Sequence, residues 1–284
     1  MIVEIDPHSG FCFGVVRAID VAEATLKERG VVFSLGDIVH NRVEMQRLES
    51  IGLRSIDYEQ MQIANGEAVL IRAHGEPPST YAKAAELGLE VIDATCPVVA
   101  KLQERVKDVY AEMQSVGGQV VLLGKRGHAE VVGLTGQVND RVIVVENEGD
   151  LESIDFERPI YFLSQTTQSI NLFGHLSEVI KGRAKNTVKL RDTICRRVSS
   201  REEHLVAFVK RFDLILFVSG KKSSNGKVLY ELCRGANEAS YLIEDASEID
   251  PAWMEGVGSV GICGATSTPG WLMESVAKSV EENY

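Results

Sequence analysis

No apolar run in this sequence approaches the ~18 residues that a bilayer-spanning helix needs, which excludes a helical membrane protein. The amino terminus, MIVEID, has no basic stretch, and no Arg- and Ser-rich segment precedes the first motif. Neither a secretory signal nor a transit peptide is therefore expected, and the expected location is the cytoplasm. Positive charge is also short: 30 Lys and Arg stand against 41 Asp and Glu, for a net charge of −11. Such a balance argues against nucleic acid as a partner, while leaving room for a small anion in a locally positive site. The five cysteines are odd in number, so the 284 residues do not read as a disulfide framework. Metal ligation, catalysis and simple burial all remain open for them. Low-complexity segments and long Pro/Gly/Ser linkers are missing too.

What is present is an ordinary globular composition, 44% hydrophobic and 25% charged, with length enough for one or two domains. Short runs rich in Val, Ile and Leu alternate with helix-period stretches from end to end. The runs are VVFSL (31–35), AVLIRA (68–73), LEVIDA (89–94), QVVLLG (119–124), RVIVVE (141–146), IYFLS (160–164), LILFVSG (214–220) and SVGICG (259–264). Between them lie segments such as VVRAIDVAEATLKERG, with Val15, Ile19, Ala22 and Leu26 on one helical face and Gly30 as a stop. Continuous apolar strands alternating with amphipathic helices predict parallel sheets covered on both faces, an α/β fold.

Cys12, Cys96 and Cys195 divide the chain into similar pieces. Cys12 stands in SGFCFGV between two Phe and two Gly, after the run MIVEID and where a helix begins. Glycines beside it allow close backbone approach. Cys96 ends LEVIDATC and is followed by Pro97, a favoured first helical residue, then by Val99, Leu102, Val106 and Val109 on one face. Cys195 ends VKLRDTIC, ahead of a doubled capping-box pattern (Ser199 with Glu202, Ser200 with Glu203) and a helix carrying Leu205, Val209 and Phe212. The layout predicts three similar α/β units, each presenting a cysteine: 13–96, 97–194, and 195–284 joined by 1–12. Cys233 and Cys263, at helix and strand positions, read as small packing residues. The spacing matches no zinc ribbon and no C-x₂-C-x₂-C run.

Ligands of parallel sheets bind beyond the carboxyl ends of the strands. Those positions carry His40, His74, His128, Glu130, Thr166, Thr167, Ser223, Ser224, Asn225, Ser267 and Thr268, with Pro269 at the start of a helix. Small hydroxyl and amide side chains at helix N-termini suit an anion, most naturally a phosphate. The same Ser-Ser-Asn-Gly stretch is also what a loop with an N-cap looks like, and Thr-Thr after a strand is commonly a cap. His8, His175 and His204 read as solvated or hydrogen-bonded. Glu130 lies two residues after His128, so an extended segment would point both side chains the same way.

The ordered set GFCFGV, IVHN, RAHG, DATCP, GHAEVVG, SQTT, DTIC, KKSSNG and ATSTPGW resembles the LytB/IspH family over essentially the whole chain. The resemblance implies three similar α/β/α units with small, mostly parallel sheets in pseudo-three-fold arrangement around a central iron–sulfur cluster. It implies that Cys12, Cys96 and Cys195 hold one 4Fe–4S cluster, leaving one iron without a protein ligand. His40, His74, His128, Ser223, Ser224, Asn225 and Ser267 match residues that bind a substrate diphosphate. Thr166 matches a threonine near the substrate's hydroxymethyl group, and Glu130 a carboxylate that relays protons. The implied activity is reductive dehydroxylation of 4-hydroxy-3-methylbut-2-enyl diphosphate to isopentenyl and dimethylallyl diphosphates, with ferredoxin or flavodoxin as electron donor.

Many members of that family have proline between the histidine and glutamate; Ala129 stands there instead, which leaves this loop less stiffened. The last motif, ATSTPGW, is followed by few residues, so the RNA-binding-type domains of some homologues are not expected. Other readings compete: a different three-cysteine cluster enzyme such as a quinolinate synthase or diphthamide-synthesis relative, a zinc hydrolase of a phosphorylated substrate, and a non-catalytic binding protein with buried cysteines.

Overall fold

The structure is a computed structural model describing residues 1–64 and 66–284; the side chains of 197–200, and with them the capping boxes at Ser199 and Ser200, lie outside the described set. In chain order the elements are β1 (Ile2–Ile5), α1 (Phe13–Arg29), β2 (Val32–Leu35), α2 (Arg42–Ser50), β3 (Leu53–Ile56), β4 (Ala68–Ile71), α3 (Pro78–Glu86), β5 (Glu90–Asp93), α4 (Pro97–Ser115) and β6 (Gln119–Leu123). They continue with α5 (Ala129–Thr135), β7 (Ile143–Val145), β8 (Ile160–Ser164), α6 (Ile170–Arg183), β9 (Val188–Leu190), α7 (Arg196–Val209), β10 (Leu214–Val218), α8 (Ser224–Ala236), β11 (Ser240–Ile243), β12 (Ser259–Gly264) and α9 (Gly270–Asn283).

The strands form three four-stranded sheets, ordered β3-β2-β4-β5, β7-β6-β8-β9 and β11-β10-β12-β1. All described pairings are parallel. The third sheet is completed by the N-terminal strand, which pairs with β12 from Ile2 opposite Ser259 to Ile5 opposite Ile262. By compactness the chain divides into two units. The first comprises Met1–Val31, Asp37–Leu53 and Arg196–Tyr284, and the second Val32–Gly36 and Arg54–Cys195.

Each apolar run noted in the sequence contains a strand, and the central ones are buried on both sides as period-two alternation demands. In β10, Leu214, Leu216 and Val218 join the core cluster under α9, while Ile215 and Phe217 join the cluster under α7 and α8. In β6, Val120 and Leu122 pack with α4, and Val121 and Leu123 with α6. Three strands absent from the sequence reading, β3, β9 and β11, are all sheet edges. They have three or four residues with polar positions among them (LRSI, VKL, SYLI), because an edge strand needs no continuous apolar run.

Helix α1 stops at Gly30, whose φ of 76° is the left-handed stop expected. Pro97 begins α4, and Val99, Leu102, Val106 and Val109 are its buried face. Two local expectations need correcting. Phe212 joins the same core as Leu205 and Val209 but lies past the end of α7. Pro269 is the N-cap of α9, one residue before the helix.

Candidate active site

The three singled-out cysteines hold the same position in their sheets. Each follows an edge strand, β1, β5 or β9, and precedes a long helix. Each backbone N–H donates to a carbonyl just beyond the neighbouring strand: Cys12 to Thr266 at 3.1 Å, Cys96 to Ala73 at 3.0 Å, and Cys195 to Thr166 at 2.8 Å. Cys12 and Cys96 are the N-caps of α1 and α4, and Cys195 directly precedes α7. None of these helices has an acidic residue in its first turn. A thiolate is stabilised by the positive end of a helix, and a competing carboxylate there would spoil that. None of the three is in a disulfide and all are partly accessible, whereas Cys233 on α8 and Cys263 on β12 are fully buried in the core those elements share. Soft sulfur donors presented this way are what an iron–sulfur cluster takes.

Near Cys12 the first unit adds a charge that the sequence reading passed over. Arg201 of α7 is only partly accessible, and its Nη1 is enclosed with no hydrogen-bond partner among the described residues. Burial lowers its pKa from the ordinary value, opposed by the charges of Cys12 and Asp6. Asp6, itself 4% exposed, accepts from the Ser9 hydroxyl at 2.7 Å. One turn along from Arg201, His204 stacks on His8 with ring centroids 4.4 Å apart. The helix is thus seated on the loop that carries Cys12, where Gly10 has φ of 109° and no side chain would be comfortable.

In the second unit, His74, His128, Glu130 and Thr166 come together at the carboxyl ends of β4, β6 and β8. The segment from His128 to Glu130 is not extended. His128 caps α5, and its Nδ1 accepts from the Glu130 N–H at 3.2 Å. The Gln165 amide also reaches Nδ1, at 3.1 Å. With Nδ1 used as an acceptor, a neutral ring carries its proton on Nε2 and can donate there. The His74 ring lies edge-on to that of His128, with centroids 5.3 Å apart.

Glu130, 2% exposed, is clamped by a single residue. Thr166 donates its backbone N–H to Oε1 and its hydroxyl to Oε2, both at 2.7 Å. Burial pushes the carboxyl up to about 7, with the two Thr166 hydrogen bonds opposing the rise. The side chain is therefore poised to hold or release a proton near neutrality. Thr166 is no helix cap; that role falls to Ser169 on α6. Its carbonyl instead holds the Cys195 N–H, so one residue ties the carboxyl group to a cysteine position.

The first unit gathers Ser223, Ser224, Asn225 and Ser267, with His40 in the same unit. Ser223 caps α8, its Oγ accepting from the Gly226 N–H at 3.0 Å and from the Ser267 hydroxyl at 3.2 Å. Both lone pairs being used, the Ser223 proton is free to point outward. Ser224 opens α8, whose first turn has no acid, as is also true of α9. Gly226 cannot be replaced simply: a Cβ there would lie 2.1 Å from Ser219 Oγ. The loop behind His40 is equally tight, since a Cβ on Gly220 would lie 2.1 Å from the His40 carbonyl. A cleft of about 480 Å³ beside it is lined by His40, Asn41, Gly220, Lys221 and Lys222, among others.

What holds the His40 loop was only partly legible. Asn41 caps α2 by accepting from the Glu44 N–H at 3.0 Å. Glu44 is fully buried, paired with Arg47 at 2.5 Å and accepting from the Trp271 indole at 3.0 Å. Trp271 of ATSTPGW thus anchors Glu44 of HNRVE. Helical spacing marks Asn41–Glu44 as a cap in the sequence, but nothing local announces the indole.

A sequence profile of the family described as LytB protein matches residues 3–281. The chain is 48% identical over 281 residues to a 4-hydroxy-3-methylbut-2-enyl diphosphate reductase of Bacteroides fragilis, covering 98% of this chain and 97% of that one. It is 49% identical over 283 residues to the protein of that name from Porphyromonas gingivalis, covering 98% of each. Among solved structures, a (E)-4-hydroxy-3-methyl-but-2-enyl diphosphate reductase described as the terminal enzyme of the non-mevalonate pathway superposes with a TM-score of 0.73 at 37% identity, covering 99% of this chain and all of the other. The E-1-hydroxy-2-methyl-but-2-enyl-4-diphosphate reductase of Plasmodium falciparum gives 0.87 at 26% identity, covering 99% and 87%. Matched from end to end in sequence and in fold, the chain belongs to the LytB family.

Proposed function

We propose that the chain reduces 4-hydroxy-3-methylbut-2-enyl diphosphate to isopentenyl and dimethylallyl diphosphates, the terminal reaction of the non-mevalonate route. Family membership over residues 3–281 carries this reading. The allylic C–O bond breaks, two electrons enter the hydrocarbon, one proton goes to carbon and another leaves with the hydroxyl as water.

In this reading Cys12, Cys96 and Cys195 hold one 4Fe–4S cluster. When bound, such a cluster with one iron lacking a protein ligand supplies a Lewis-acidic position and the electrons, delivered by a ferredoxin or flavodoxin. His40, His74 and His128 bind the diphosphate together with Ser223, Ser224, Asn225 and Ser267, by hydrogen bonds and helix N-termini and without a lysine clamp. Glu130 holds a proton and passes it through the Thr166 hydroxyl toward the departing oxygen, a role that suits a carboxyl raised to about 7. A diphosphate nearby would raise it further, because negative charge disfavours the carboxylate. A cytoplasmic location, as expected from the sequence, belongs to the same proposal; of membrane spans, the observation is that no helix among the described residues is long and apolar enough to cross one.

Anaerobic purification followed by iron and sulfide analysis and product assay tests the reading. Iron and sulfide in cluster proportion, with conversion of the allylic diphosphate by a chemical reductant, is expected. A purified protein that binds zinc instead, or that turns over no allylic diphosphate, would refute it.

A further inference from the structure

The loops beyond the central strands correspond by position. His40, His128 and Ser223 each lie five residues past the ends of β2, β6 and β10, and His74, Thr167 and Ser267 three past β4, β8 and β12. On that count Asn225 stands where Glu130 does, and Thr266 where Thr166 does. The contacts correspond as well. Thr166 gives its N–H and hydroxyl to the Glu130 carboxyl; Thr266 gives its N–H, at 3.0 Å, and its hydroxyl, at 2.7 Å, to Asn225 Oδ1. Both threonines also hold a cysteine N–H on their carbonyl, Cys195 on Thr166 and Cys12 on Thr266. In the remaining sheet Ala73 stands at the threonine position, so no hydroxyl is there to form the clamp.

The clamp decides which way the Asn225 amide points. A backbone N–H can only donate, so the atom facing Thr266 must be the oxygen, and two donors fill its lone pairs. Reversing the amide would set its NH₂ against the Thr266 N–H. Nδ2 is therefore turned away from Thr266, and among the described residues no protein acceptor meets it. Asn225 is 5% exposed, yet Nδ2 is not one of the enclosed, unpartnered atoms, so it stays reachable from the open side of the site. An oxygen of an anion satisfies it. On the same turn the Ser223 oxygen already accepts twice, which leaves its proton available to donate, and no carboxylate competes in the first turn of α8.

We propose that Thr266 is a positioning residue for diphosphate binding, fixing the Asn225 amide so that Nδ2 donates to the substrate's anionic end. The proposal rests on the reading of Asn225 as a diphosphate ligand. One scaffold thereby serves two ends in one chain: clamped around a carboxyl group it presents a proton, and clamped around an amide it presents a fixed anion donor.

The test is calorimetric titration of inorganic pyrophosphate into anaerobically prepared holoenzyme, alongside steady-state kinetics. Thr266→Val keeps the shape and removes the hydroxyl. It should bind pyrophosphate roughly three- to tenfold more weakly, as expected for one lost hydrogen bond. KM should rise by a similar factor while kcat falls less. Thr266→Ser should restore wild-type binding. Asn225→Ala should weaken binding at least as much, and the double variant no further, because the threonine acts through the amide. Wild-type binding by Thr266→Val beside weak binding by Asn225→Ala would overturn the positioning role and leave the anion site standing. Wild-type binding by Asn225→Ala would overturn the anion site itself. Additive losses in the double variant, or no rescue by serine, would also overturn the proposal. Should the valine variant not fold, Thr266→Ala against Thr266→Ser carries the same contrast.

Discussion

Replacing Glu130 by Gln tests proton delivery and burial in one variant. The glutamine oxygen can still accept the Thr166 N–H, and its amide can donate to the Thr166 hydroxyl, so both clamp contacts survive in shape. What is lost is the ionisable proton. Turnover should fall about 10²–10⁴-fold, the range for a missing general acid, while cluster content and substrate binding stay. The pH profile carries a second signature. Burial raises the carboxyl from its ordinary 4.5 to about 7, so the wild-type rate should decline as pH climbs through that value, and the residual Glu130→Gln rate should lack that inflection. Stability follows the same titration. A carboxyl with a raised folded-state pKa contributes stability that is complete below its unfolded value and is lost as pH rises through the folded one. For a group 2% exposed, the rise corresponds to on the order of 3 kcal/mol. Denaturation of both proteins at about pH 4 and about pH 8 should show wild type losing about that much more than the variant. Near wild-type turnover by Glu130→Gln, or identical pH dependences of stability, would refute the reasoning.

Serine at Cys12, Cys96 or Cys195 should abolish or severely reduce iron retention, whereas serine at Cys233 or Cys263, fully buried among Leu229, Phe217 and their neighbours, should leave iron content near wild type; iron analysis of anaerobic preparations decides. His74→Ala should weaken pyrophosphate binding by about tenfold or more, as for a hydrogen bond to a charged group, with the cluster's visible spectrum unchanged. Arg201→Gln removes a positive charge from beside Cys12, so the cluster should become harder to reduce: at the wild-type midpoint potential, less than half of the variant should be reduced in a spectroscopic redox titration.

The α/β class, the central strands and the cysteine positions were determined by local sequence. Strands buried on both faces must be continuously apolar, so β2, β4, β6, β8, β10 and β12 announce themselves; helix ends are set by Gly30 and Pro97 through backbone geometry alone. Edge strands β3, β9 and β11 carry no such constraint and were silent. His128 and Glu130 were legible as neighbours, but their arrangement was not, because a histidine N-cap turned the expected extended segment into helix. Tertiary structure alone supplied the partners from distant segments: Thr166 for Glu130, Trp271 for Glu44, Thr266 for Asn225, and Arg201 for Cys12. Backbone conformation is decided by residues a few positions apart, which a sequence displays. The proton affinity of a carboxyl and the orientation of an amide are decided by burial and by hydrogen-bond donors far along the chain, and those exist only once the strands have paired.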